Sequence, residues 1–468
     1  MTLSKPTFTR ELLTGKESLM TGQAPSSSTH RTGPPALAVG ALALVVSLFF
    51  LWGLANNLND VLIKQFKKAF ELSDFQAGLV QSAFYLGYFA LAIPAGLCTQ
   101  RFGYKRTLMI GLALYSSGAL LFYPAAVIYS YATFLIALFI IASGLAFLET
   151  SANPLVTVLG APSGAARRLN LAQSFNPLGS ITGVMIGQHF ILSGVELPTG
   201  QLAAMHEGAR HAYLASEAAA VAKPYLAVAA VIAAWLLLVA ATRFPSAAAA
   251  AEKAAIEQGS AWTLARNRNF LFAIAAQFFY VGAQVGIWSY LIRYAQVTMP
   301  GTPEKSAANY LTLSLIAFLL GRFLGTALMI RIAPGRLLAA SSMMNILLVL
   351  FAVVRPGGIG MSTLVLSSFF MSVMFPTIFV LGLRGLGDQD RKLGSSFMVM
   401  AIIGGAVLTA LMGALSDAFG IALAMSVPAV CFAVVTGFAF YDLSNASREN
   451  LTALPSTPRL SSIQPNDH

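Results

Sequence analysis

The chain has 468 residues, of which 57% are hydrophobic and only 10% charged, with 29 Lys and Arg against 18 Asp and Glu and a net charge of +11. A mean hydropathy of +0.72 lies far outside the range of soluble globular domains, which argues against a soluble enzyme. The apolar residues suffice for about a dozen spans of roughly 20 residues each, so the expected class is an all-α membrane protein.

Residues 1–35 are polar, rich in Ser, Thr and Pro and without the early apolar run of a signal peptide, and are expected to be a disordered cytoplasmic tail. Twelve apolar runs follow, at 36–63, 75–98, 107–128, 132–159, 169–192, 225–243, 270–293, 307–330, 336–354, 361–383, 394–415 and 419–441. Twelve transmembrane helices leave both ends of the chain on one side. Twenty of the 29 Lys and Arg fall in segments on that side and eight on the other, with Arg322 inside a span; excess basic charge marks the cytoplasm. Both termini are therefore expected to be cytoplasmic. The same rule accounts for the net charge without a nucleic-acid partner, and no basic stripe with interleaved aromatics is present. The domains expected are a six-helix bundle at 36–243, a cytoplasmic middle loop at 244–269, a second six-helix bundle at 270–441 and a cytoplasmic tail at 442–468. Cys98 and Cys431 lie in apolar runs with neither metal-ligand spacing nor a disulfide pattern, so no metal and no cofactor is expected.

Within the spans the polar residues are few. In the first, Trp52, Asn56 and Asp60 share one helical stripe, with Asn57 three residues before Asp60. Glu149 and Asn153 are four apart in the fourth span, and Gln173 and Asn176 three apart in the fifth. The seventh carries Gln277, Tyr280, Gln284 and Trp288, a mixed amide and aromatic stripe. A carboxylate at membrane depth costs roughly 2.5–3.5 kcal/mol on insertion scales, so Asp60 and Glu149 are candidates for proton coupling. Amides both donate to and accept from hydroxyls, and flat rings carry the apolar faces of sugars, so the stripes suit a neutral polyol. Arg322 reads equally as a structural tie or as part of the coupling. Pro94, Pro154, Pro177 and Pro376 read as kinks, and His189, His206 and His211 as loop residues.

The two groups of six spans repeat one another weakly. An offset of 222 pairs Phe147 with Phe369, Pro154 with Pro376, Ser174 with Ser396 and Gly183 with Gly405, and an offset of 229 pairs Gly53 with Gly282. Gly87-Tyr-Phe and Gly321-Arg-Phe each precede a basic turn. Under these offsets Glu149, Asn153 and Asp60 meet Met371, Phe375 and Ser289, so the halves share a scaffold but not their polar chemistry. Two parallel six-helix halves around a midplane site resemble the major facilitator superfamily. The turn QRFGYKR, Gln100–Arg106, is similar to that superfamily's cytoplasmic turn motif, with Thr99 or Gln100 where an Asp is common. The resemblance makes Arg101, Lys105 and Arg106 gating candidates, and positive-inside anchoring explains them equally well.

FFLWGLANNLND (Phe49–Asp60), GLAFLETSANP (Gly144–Pro154), RLNLAQSFNPLG (Arg168–Gly179) and MFPTIF (Met374–Phe379) resemble the bacterial fucose/galactose/glucose:proton symporter family, over most of residues 40–440. The resemblance implies proton coupling and sugar binding at Asp60 and Glu149, cavity-facing amides at Gln173 and Asn176, and a cavity aromatic at Phe375. Phe375 stands where the fucose transporter has a tyrosine, so one hydroxyl contact is missing. What is expected is a multi-pass transporter in a bacterial inner membrane, working as a monomer, whose partners are a small sugar, a proton and the lipid bilayer. It would import the sugar by alternating access. The alternative is a facilitator or exporter of another small polar solute on the same scaffold. No HExxH, GxSxG or phosphate-binding glycine loop is present to support an enzyme.

Overall fold

The structure, a computed structural model, describes residues 36–72, 74–159, 161–186, 190–191, 205–242 and 260–452. Among these the long elements are helices throughout. The first half contains α1 (Ala36–Ala69), α2 (Asp74–Val127), α3 (Tyr131–Val158), α4 (Ala165–Gln173), α5 (Phe175–Ile186), α6 (Glu207–Ala219) and α7 (Ala222–Ala241). The second contains α8 (Ala261–Arg266), α9 (Arg268–Thr298), α10 (Glu304–Leu328), α11 (Pro334–Val354), α12 (Gly358–Met371), α13 (Met374–Gly382), α14 (Asp388–Met400), α15 (Gly404–Phe419), α16 (Ile421–Ala424) and α17 (Ser426–Thr452).

Nine helical stretches among the described residues are long and apolar enough to cross a membrane, so the chain is a multi-pass membrane protein. One of them, Leu79–Val127, holds two of the expected spans. Gly103, at φ 79 and ψ 174, turns the chain between them in a region that a Cβ disfavours. Within α1 the apolar stretch is Leu42–Ala55.

Four expected spans are broken, at 169–192, 361–383, 394–415 and 419–441, and in the first two proline gives the reason. Its ring collides with the carbonyl four residues back and it donates no N–H, so the helix loses a bond there. Pro177 stands four residues after Gln173, where α4 ends, and Pro376 four residues after Ser372, just beyond the end of α12. Span six differs in the other direction. Glu207–Ala241 forms one apolar helical stretch of 35 residues, so the chain is already helical well before residue 225. Its first part, α6, is bound to α1: buried Glu217 accepts from Gln65 Nε2 (2.9 Å) and Lys68 Nζ (2.9 Å), while Arg210 pairs with Glu71. His206 caps α6 by accepting from the Gly208 N–H, and the His211 ring stands edge-on to Tyr129.

The weak repeat has a packing basis. A Cβ on Gly53 would collide with the Asn176 carbonyl, so α1 and α5 touch backbone to backbone; Gly282 on α9 packs as closely against Leu408 of α15. The first half is assembled by α2 against α3 and α7 and by α1 against α5; the second by α9 against α15 and α17, α11 against α12 and α17, and α10 against α12. Between the halves, α14 lies against α2 and α3, and α4 against α10 and α13.

Candidate functional site

A cavity of about 440 Å³ lies between the halves. Its wall from the first half carries Trp52 of α1, Gln81, Phe84, Tyr85 and Tyr88 of α2, and Gln173, Asn176 and Ser180 of α4 and α5. From the second half come Gln284, Trp288 and Ser289 of α9, Phe318 and Arg322 of α10, and Phe375 of α13. Gln81 and Leu311 stand early in α2 and α10, Ser289 and Ile292 late in α9, so the cavity occupies the end of the bundle where α1 passes into α2 and α9 into α10.

At the other end, which holds the Gly103 turn, side chains of one half bond to the other. Gln100 Nε2 donates to the Gln389 carbonyl (3.1 Å), Asn170 Nδ2 to Thr377 Oγ1 (3.3 Å) and Ser395 Oγ to the Thr150 carbonyl (2.9 Å). The Lys392 ammonium, fully buried in this seam, lies 5.5 Å from the centre of the Tyr104 ring. Arg322 forms the cavity floor: Nε donates to the Ser372 carbonyl (2.6 Å), and Nη1 to the Gln173 carbonyl (2.8 Å) and to Gln173 Oε1 (3.0 Å). Its guanidinium also stacks on Phe318 at 4.8 Å.

The acceptors of these bonds follow from the prolines. Thr150, Gln173 and Ser372 each stand four residues before a proline, at Pro154, Pro177 and Pro376, so each carbonyl lacks its usual helical donor. A carbonyl buried unpaired costs about 1–3 kcal/mol, and here side chains of the second half supply the missing donors. Two of the three bonds cross from one half to the other. The prolines are thus sockets of the seam as well as kinks, and among the described residues Arg322 has carbonyls rather than a carboxylate as hydrogen-bond partners.

Of the residues expected to meet sugar, the structure puts Gln173, Asn176, Gln284, Trp288 and Phe375 on the cavity wall. Asn153 is buried behind it, accepting from Gln173 Nε2 at 3.2 Å. Tyr280 is buried and donates to the Met371 carbonyl at 3.0 Å, holding α9 to α12. Gln277, 0% exposed, lies off the wall with both amide atoms unpartnered among the described residues. Glu149, 1% exposed, also lies off the wall, and neither carboxyl oxygen has a hydrogen-bond partner among the described residues. The side chains of Asn56, Asn57 and Asp60 lie outside the described residues. Lys105 donates to the Ala240 and Thr242 carbonyls (2.8 and 3.0 Å), closing the end of α7 within the first half. Arg101 lies over Phe102, and Arg106 is exposed. The groups of this turn that reach the second half are Gln100 and Tyr104.

The sequence reading missed the α2 wall, although Gln81, Tyr85 and Tyr88 recur at helical spacing, because aromatics in an apolar span read as core. It also missed Lys392, and Arg168, whose guanidinium donates to the Val156, Thr157 and Ala161 carbonyls and closes the end of α3.

Helices that cross a membrane, paired into two halves around a cavity open toward one end and bonded shut at the other, define the class: a membrane transporter. The sequence pattern of the Major Facilitator Superfamily matches residues 40–402, and the chain belongs to that superfamily. It is 48% identical over 411 residues to the L-fucose-proton symporter of Escherichia coli K12, covering 86% of this chain and 93% of that one. With the glucose/galactose transporter of Brucella abortus it shares 38% over 408 residues, again 86% of this chain and 93% of the other. The crystal structure of the transporter FucP in the outward conformation superposes with a TM-score of 0.79 at 47% identity, covering 87% of this chain and 99% of that one. The chain is thus similar to transporters rather than to enzymes.

Proposed function

We propose that the chain is a secondary active transporter that imports a neutral hexose or deoxyhexose with a proton, L-fucose being the first candidate and galactose and glucose the next. The observation that carries this reading is the cavity itself. Gln173, Asn176, Gln284 and Ser180 offer amide and hydroxyl groups, Trp52, Trp288 and Phe375 offer rings, and an unpartnered carboxyl, Glu149, lies buried just off the wall. The activities of the relatives, fucose–proton symport and glucose/galactose transport, support the same class of substrate.

In this reading the chain crosses a bacterial inner membrane twelve times, with both termini in the cytoplasm. It works as a monomer in the lipid bilayer. The halves 36–243 and 270–441, joined by the segment 244–269, rock about the sugar, and the described state is open to the outside and shut toward the cytoplasm. Asp60 and Glu149 carry the proton, while Asn56, Asn57, Gln173, Asn176, Gln284, Trp288 and Phe375 contact the sugar. Asn153, Gln277 and Tyr280 act from behind the wall, and Lys105 anchors the turn that Arg101 and Arg106 flank. A buried carboxyl without a partner costs far less neutral than ionised, so crossing the occluded state with a proton on Glu149 avoids that cost. A proton moving across ~100 mV is worth about 2.3 kcal/mol, enough for more than tenfold accumulation at about 1.4 kcal/mol per decade.

The test is uptake of radiolabelled L-fucose, galactose and glucose into proteoliposomes under an imposed pH gradient, with a sodium gradient as control. Accumulation of at least one sugar, driven by the pH gradient and collapsed by a protonophore, is expected. Accumulation that follows sodium, or equilibration without accumulation, would contradict the proposal and favour another carrier on the same scaffold.

A further inference from the structure

The bond that Gln173 accepts from Arg322 belongs to a longer chain. Arg322 Nη1 donates to Gln173 Oε1 (3.0 Å), and Gln173 Nε2 donates to Asn153 Oδ1 (3.2 Å). Asn153 then has its Nδ2 left, and no hydrogen bond uses it among the described residues. One helical turn back on α3, four residues away, stands Glu149, with both oxygens equally unpartnered among the described residues. Every donor in this series points the same way, from the guanidinium of the second half toward the carboxyl of the first. One link remains to be made, and its donor and acceptor are neighbours on one helix face.

We propose that the Gln173 and Asn153 amides are a coupling element that ties the state of Glu149 to the grip of Arg322 on the two proline-broken helices. The inference rests on the reading of Glu149 as a proton carrier. When Glu149 is ionised, it accepts from Asn153 Nδ2. That bond polarises the Asn153 and Gln173 amides and strengthens the bond from Arg322, since hydrogen bonds in a chain reinforce one another and those to charged groups are the strongest. Arg322 then holds the Gln173 carbonyl of the first half and the Ser372 carbonyl of the second together, and the cytoplasmic seam stays shut. When Glu149 takes a proton, the acceptor at the end of the chain is weakened and the grip relaxes. In this scheme Asn153 is a positioning residue that does not touch the sugar in the outward state.

Other titratable groups bear on Glu149 among the described residues. Tyr88 of α2 lies within its electrostatic reach, and the side chain of Asp60 on α1 is outside the described residues. Lys392 of α14 stands three residues before Ser395, which bonds the Thr150 carbonyl next to Glu149. The Thr150 carbonyl is a backbone acceptor that takes the Ser395 bond whatever the charge on Glu149, whereas the amide chain ends on a side-chain donor, Asn153 Nδ2, one helical turn from Glu149.

The experiment uses the full chain in proteoliposomes with saturating L-fucose, without its native cysteines and with a cysteine at the exposed cavity residue Ser289. Labelling by an impermeant maleimide from outside, each rate divided by that of a small free thiol at the same pH because the thiolate is the reacting form, reports the outward-open population. In this background the normalised rate is expected to fall by roughly tenfold between about pH 8 and about pH 5.5, the size of one hydrogen bond to a charged group. Asn153→Leu is expected to flatten that dependence to less than about twofold while retaining L-fucose counterflow, and Asn153→Ala, which leaves room instead of filling it, to do the same. Glu149→Gln should be flat as well, and combining it with Asn153→Leu should add nothing. If Glu149→Gln keeps the pH dependence, the reading of Glu149 fails. If Glu149→Gln loses it but both Asn153 variants keep it, the amide chain alone is overturned. Loss of counterflow in both Asn153 variants would overturn it too, because Asn153 would then serve the sugar or the fold.

Discussion

Replacing Gly96 with alanine is expected to push the seam open from within. Gly96 lies on α2 where it meets α14, and a Cβ built there falls 2.5 Å from Ser396 Oγ and 2.7 Å from Ser396 Cβ, across the two halves. Carbons in contact normally stand about 3.5–4.0 Å apart, so the overlap approaches ~1 Å. The Ser396 hydroxyl is bonded to the Leu393 carbonyl at 2.6 Å, and its Cβ cannot rotate out of the way. Overpacking of this kind costs about 1–3 kcal/mol. With the halves parted the added methyl meets no such neighbour, so the whole cost falls on the shut state. The equilibrium should move toward the cytoplasm-open state by roughly 5- to 150-fold, at about 1.4 kcal/mol per decade. The assay is maleimide labelling of a cysteine at Thr377, buried in the seam beside Asn170, from the cytoplasmic face of inside-out vesicles. Its rate is proportional to the rare open population, so it should rise at least about fivefold in Gly96→Ala and return when Ser396→Gly is added. Unchanged labelling would mean that this contact does not hold the seam, and the reasoning would be refuted.

Three more outcomes follow from single sites. Lys105→Met removes both donors to the end of α7, so thermal stability in detergent should fall by about 1–2 kcal/mol while Thr377 labelling stays as it was; increased labelling would make Lys105 a gate instead. Glu217→Ala removes the carboxylate that Gln65 and Lys68 share at the α1–α6 junction but leaves Gln65 its bond to the residue-217 carbonyl (2.8 Å) and Lys68 its place over Tyr213, so stability should drop by about 1–2 kcal/mol. A melting curve identical to wild type would show that α6 needs no such tie. Phe375→Tyr adds a hydroxyl to the cavity wall, and one new hydrogen bond of about 0.5–1.5 kcal/mol should change the relative Km of L-fucose, galactose and glucose by up to roughly tenfold; an unaltered ranking would place residue 375 outside the sugar's reach.

Hydropathy made the membrane class and most of the spans legible, because about 20 apolar residues in a row have few other uses. Helical periodicity pointed to the faces carrying Gln173, Asn176, Gln284 and Trp288, which the structure places on one cavity. Periodicity does not say how deep a residue lies or what covers it, and so Tyr280 and Gln277, on the same stripe as Gln284, turn out buried off the wall. The prolines were visible as helix breakers. That their freed carbonyls at Thr150, Gln173 and Ser372 would be met by Ser395 and Arg322 depends on which helices pack together, and no local pattern encodes that. Helix α6 was missed because its composition is mixed, and it is held by ion pairs with residues some 140–150 positions away in the chain.

The most direct measurement is of proton movement itself, in lightly buffered cells expressing the wild-type chain or Glu149→Gln. Addition of L-fucose to wild type should alkalinise the medium, whereas Glu149→Gln should still exchange labelled for unlabelled fucose with no such pH change. Alkalinisation by Glu149→Gln equal to wild type would contradict the central claim that the proton travels on this buried carboxyl.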